Sequence, residues 1–137
     1  MSTATPWARN RHRANEMVRM QHPDGGGVFL KQPGAFIGFW GSPIDRTLPD
    51  PHDFVDDTWD LQERRRVADY LDYGKEVAHY KGCSTCRICG QRNGSQDLGD
   101  GVFVWPEGLG HYIRDHAVRL PQAFIARALR GEKEGAL

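Results

Sequence analysis

Apolar positions along the chain fall into short runs, and their spacing changes twice. "VFLKQ" and "AFIGFW" are β-rich runs on either side of Pro33-Gly34, a pattern that predicts a hairpin with Phe36, Phe39 and Trp40 in the core. "DTWDLQERRRVADYLDYG" switches to helical spacing: Asp57 or Thr58 caps its start, Trp59, Leu61, Val67, Ala68 and Leu71 form its apolar face, and Gly74 ends it. "EVAHY" reads as a short strand, "QRNGSQDLGDG" as turns around another, and "VFVW" as a clear strand. Pro106 then stands where a helix begins, so "PEGLGHYIRDH" is expected to be helical from that residue. A last helix runs through "LPQAFIARALR", with Phe124, Ile125, Ala128 and Leu129 at helical spacing.

The order is strands, helix, strand, cysteine-rich turn, strand, helix, helix. It predicts a small α+β domain with short antiparallel strands, about three helices and a knuckle–strand–helix unit at residues 83–116. Residues 1–27 form a basic arm, "RNRHRANEMVRM" followed by the breaker "HPDGGG", either loosely attached or docked by its Met and Val residues. Residues 28–137 are then the domain proper. "GSPIDRTLPDPHDFVDDTWD" contains an acidic, proline-rich loop over 45–60.

Composition narrows the possible partners. The 137 residues carry zero formal net charge, which argues against a non-specific polyanion binder. There is no apolar run of transmembrane length, and the N-terminus lacks the apolar centre of a secretory signal, so a cytoplasmic protein is expected. In a reducing compartment, clustered cysteines serve as metal ligands more often than as disulfides.

All three cysteines, Cys83, Cys86 and Cys89, lie in "CSTCRICG". Two thiolates separated by two residues grip a single tetrahedral ion, and a following glycine lets the backbone turn its amides toward the sulfurs. "CRICG" has that glycine, Gly90, so Cys86 and Cys89 are the better pair. His111 and His116 in "HYIRDH" come after 21 intervening residues from Cys89 and complete a mixed sulfur and imidazole set, the chemistry that suits zinc. Residues five apart on a straight α-helix point roughly 140° apart, so the last turn must loosen for the two histidines to converge. Cys83 is a spare thiol or a substitute for one histidine. An iron–sulfur cluster needs a fourth cysteine, which this chain lacks.

The stretch from Cys86 to His116 resembles a Cys2His2 zinc-finger unit, in which a knuckle precedes a ligand-bearing helix. It departs from DNA-reading fingers in its longer intervening span and in the few basic residues on its helix. The run "CRICG…DG…VWPEGL.HY…H.VRLP" is also similar to one in small bacterial proteins. That likeness implies a shared zinc-bound module.

Three functional classes follow. The favoured one is a zinc-stabilised module that binds a protein partner. The second is a zinc enzyme with an open metal position, Glu107 as general base and His79 as proton shuttle. No H-E-x-x-H or deaminase signature accompanies those residues. The third is a nucleic-acid-binding zinc finger using Arg9, Arg11, Arg13 and the arginines of "ERRR". Segregation of a basic arm from the acidic loop, which holds His52, Asp53, Asp56 and Asp57, also suggests head-to-tail self-association. That loop lacks the glycine-centred pattern of a calcium site.

Overall fold

A computed structural model describes residues 4–19, 35–41 and 46–134. Its described elements are helix α1 (Pro6–Asn10), a 3₁₀ segment Arg11–Met17, strands β1 (Val18–Arg19) and β2 (Ala35–Ile37), a 3₁₀ turn Pro51–Phe54, helix α2 (Leu61–Asp72), strands β3 (Lys75–Thr85), β4 (Arg92–Gly99) and β5 (Phe103–Pro106), and helices α3 (Leu109–His116) and α4 (Gln122–Glu134). The fold is α+β. The strands form one mixed sheet in the order β1-β2-β5-β4-β3. Pairing is antiparallel except between β2 and β5, where Ala35 and Phe36 lie beside Phe103 and Val104 in parallel.

The core sits where α2, α3 and α4 meet the central strands. Trp105, wholly buried on β5, donates its indole N–H to the Leu71 carbonyl on α2 at 3.0 Å, tying sheet to helix. Phe124 meets its ring edge-on, and Ile125, Leu109, Ile113 and Val67 belong to the same buried cluster. Asp100, in the β4–β5 turn, knits the same layers through polar contacts. Its carboxylate accepts from the Tyr70 hydroxyl, from Arg127 Nε at 2.9 Å and from the amides of Val102 and Phe103.

The basic segment is docked over residues 6–19. Met17 and Ala14 are buried, Trp7 meets Phe54 edge-on, and β1 joins the sheet. Arg13 reaches Asp53 at 3.4 Å, so arm and acidic loop meet within one chain. The 27/28 boundary, the "HPDGGG" breaker and the first half of the expected hairpin, Val28–Gln32, lie outside the described residues. Within the described residues, β2 pairs with β1 and β5.

Several expected boundaries move. Asp60, not Asp57 or Thr58, caps α2, its side chain accepting from the Glu63 amide at 2.9 Å. Leu61 is exposed, not part of the apolar face. Pro106 ends β5 instead of opening a helix. The ladder runs on past it, because the Glu107 amide donates to the Gln96 carbonyl at 2.9 Å, and α3 begins only after Gly108. The acidic loop is not all irregular: Pro51–Phe54 coil into a 3₁₀ turn that drives Phe54 into the core. Among the described residues, no helix is long and apolar enough to cross a membrane.

Candidate metal centre

The knuckle begins where β3 ends. The Cys86 amide donates to the Gln91 carbonyl at 2.8 Å and the Gly90 amide to the Cys86 carbonyl at 2.9 Å, closing a tight loop. Gly90 makes this possible with φ of 77°, a conformation that L side chains rarely adopt. Inside the loop, the amides of Ile88 and Cys89 point at Cys86 Sγ, at 3.4 and 3.5 Å. Such N–H groups stabilise negative charge on the sulfur, which a thiolate ligand requires.

Helix α3 brings the histidines. His111 stands in its first turn, and its Nδ1 lies 2.8 Å from the Asp115 carboxylate, one turn further along. That contact fixes the ring and leaves Nε2 toward the knuckle, 3.4 Å from Cys89 Sγ. A carboxylate behind a ligating imidazole is a recurring support in metal sites.

His116 is the last residue of α3. The Ala117 amide there bonds back to the Tyr112 carbonyl, five residues away, in place of the usual four. Ala117 itself takes the left-handed conformation, with φ of 55°. This wider last turn is how the residues five apart are drawn together, their ring centroids 4.9 Å apart and nearly perpendicular. Burial, and then the neighbouring His111, hold the His116 imidazole below its usual pKa, against a smaller opposing pull from Asp115. It is therefore neutral near pH 7, the form that ligates.

One ligand atom from each of Cys86, Cys89, His111 and His116 lies within 4.8 Å of every other. Metal–ligand bonds of the usual zinc lengths require edges of roughly 3.3–3.8 Å in a tetrahedron. The Cys89–His111 edge, at 3.4 Å, is already of that length. The donor set passes a second test. His116 Nε2 is buried with no hydrogen-bond partner, a state that carries a penalty unless another group fills its lone pair. Cys86 is buried too, while Cys89 is exposed.

The other sequence candidates stand elsewhere. Cys83 lies on β3, exposed, with its thiol 3.5 Å from the Ser84 carbonyl, and is not one of the four. The Glu107 carboxylate accepts from the Ser95 amide at 2.9 Å and from Gln96 Nε2 at 3.1 Å, bracing β4. His79 is exposed on β3 beside Glu76, 3.2 Å away. In the acidic loop, Asp56 is buried against Arg119 and Thr58, Asp53 pairs with Arg13, and His52 with Asp50. Among the described residues, no metal-binding group forms there.

Sequence reasoning missed Tyr112. Its hydroxyl accepts from the Arg87 amide at 2.7 Å, joining α3 to the knuckle, and burial pushes its pKa up to about 12. Its place next to His111 was the available signal. Comparison with known proteins finds no family model, curated protein or solved structure that matches this chain.

Proposed function

We propose that Cys86, Cys89, His111 and His116 hold one zinc ion in a closed structural site, and that the protein is a zinc-stabilised module for binding a partner protein. The observation that carries this reading is the convergence of four ligand atoms within 4.8 Å, with His116 Nε2 left buried and unpartnered. Two thiolates and two neutral imidazoles are a tetrahedral donor set for zinc. The ion cross-links the knuckle after β3 to the end of α3, supplying folding free energy that this small glycine-rich chain draws on.

Four protein ligands leave no position for water, the requirement of a catalytic zinc. Both oxygens of Glu107 are engaged in holding β4, which supports a bracing role for that residue. A partner protein is favoured over nucleic acid because net charge is zero and Arg13, Arg114, Arg119 and Arg127 are each paired with carboxylates of the same chain.

The test is cobalt substitution. A tetrahedral spectrum with thiolate charge transfer, one metal per chain and no response to azide is the expected result. A spectrum that shifts with azide means an open site and overturns the closed reading.

A further inference from the structure

Positive charge gathers at the outer end of the β3–β4 hairpin. Residues 81–96 hold Lys81, Arg87 and Arg92 but no carboxylate and no aromatic ring, in a chain whose net charge is zero. All three cationic residues are exposed. Arg13, Arg114, Arg119 and Arg127 meet carboxylates of the same chain, whereas these three form no ion pair among the described residues. Two of them converge on one residue. Arg87 donates through Nη1 to the Thr85 carbonyl at 3.1 Å, and Thr85 is paired across the ladder with Arg92. The proposed zinc site does not cancel these charges, because one zinc ion, two thiolates and two neutral imidazoles sum to zero.

The same end of the hairpin is open to contact. β3 closes the order of the described sheet, so its outer edge meets no other described strand. Residues 81–85 are exposed, and a Cβ added at Gly82 or Gly90 would meet no atom within 4 Å. The register of β3 on β4 also slips between His79 and Ser84, an irregularity that often re-aims side chains at binding surfaces. We infer that this outer end, with Lys81, Arg87 and Arg92, is the docking surface for an extended acidic peptide segment of the partner protein. An extended segment lies along an edge strand through main-chain hydrogen bonds, and its carboxylates take the forked donors of guanidinium groups. The inference rests on the binding-module reading and deepens it by naming the partner's chemistry. Nucleic acid fits less well, because three cations neutralise few phosphates and residues 81–96 offer no ring on which a base could stack.

The experiment titrates zinc-loaded, isotope-labelled protein with an acetylated peptide of alternating glutamate and threonine, with its glutamine counterpart, and with an oligothymidylate of equal charge. Expected are amide shifts centred on residues 81–94, affinity that falls as salt rises, and a glutamine counterpart about tenfold weaker. Arg87→Gln and Arg92→Gln should each weaken peptide binding about threefold, and together about tenfold. Arg92 is exposed and its side chain forms no hydrogen bond among the described residues, so that variant tests the surface even if Arg87→Gln disturbs the knuckle. Arg65→Gln, which removes the same charge from an exposed position on α2, should leave binding unchanged. Equal binding of the glutamine peptide, shifts centred elsewhere, or an equal loss in Arg65→Gln overturns the inference. Tighter binding of the oligothymidylate overturns it in favour of a nucleic-acid surface. The metal content of the same samples tests the zinc reading separately.

Discussion

The Tyr112 hydroxyl accepts the Arg87 amide at 2.7 Å, so the helix that carries His111 and His116 also holds the turn that carries Cys86 and Cys89. The two halves of the candidate site are thus joined by a protein hydrogen bond as well as by any ion. Tyr112→Phe keeps the buried ring and removes the hydroxyl, with its bond from the Arg87 amide and its hydrogen bond to the Cys86 side chain. Leaving a partly buried amide without its partner costs about 1–3 kcal/mol. The variant should unfold at correspondingly lower urea concentration and should lose metal to a competing chelator sooner than the wild type. Unchanged values in both measurements would mean that the bond contributes nothing to the site.

Removing single ligands separates the four from the bystander. Cys86→Ser and His116→Ala should each abolish stoichiometric zinc binding and lower the unfolding midpoint sharply. Cys83→Ser, on the exposed face of β3, should change neither, as read by metal analysis and thermal unfolding. Chelation of the wild type should reproduce the ligand variants. A Cys83→Ser protein that loses zinc would restore the substitute-ligand reading.

How legible was this in the sequence? The four candidate ligands were, because chelation needs short local spacings and a glycine, and "CRICG" and "HYIRDH" display them. The need for a loosened last turn was also readable, since five-residue spacing on an ideal helix cannot converge; the five-back bond at Ala117 supplies the means. Non-local facts were not. The parallel pairing of β2 with β5 joins segments over sixty residues apart by main-chain bonds that leave no side-chain signature. Pro106 read as a helix start because its missing N–H fits both a first helical turn and the end of a strand.

Acid should weaken the fold through Asp100. Burial acts to raise its pKa, but the Arg127 side chain, the Phe103 amide, the Tyr70 hydroxyl and the Val102 amide together outweigh it and hold the carboxyl below its ordinary value. A carboxylate with a depressed folded pKa stabilises the fold fully above the unfolded value, near ~3.9, and loses that contribution as pH falls through the folded value. Asp100→Asn should therefore be clearly less stable than the wild type at pH 7. The gap should narrow below about pH 4. Urea unfolding of both proteins across that range checks it, and because both lose any bound metal in acid, the difference isolates Asp100.

Gly90 offers the most selective probe of the knuckle. Its φ of 77° lies in the left-handed region, yet a Cβ placed there meets no atom within 4 Å. Any penalty for a side chain is thus conformational, not steric crowding by neighbours. For alanine that penalty is about 1–2 kcal/mol. Asparagine, which tolerates the left-handed region, should lose less than alanine, and a β-branched valine more. Zinc affinity measured by chelator competition should fall in the order Gly, Asn, Ala, Val, because the same backbone turn directs the Ile88 and Cys89 amides at Cys86 Sγ. An affinity indifferent to residue 90 would mean that the knuckle geometry does not prepare the sulfur for a metal, and would leave the histidine end of α3 to organise the site.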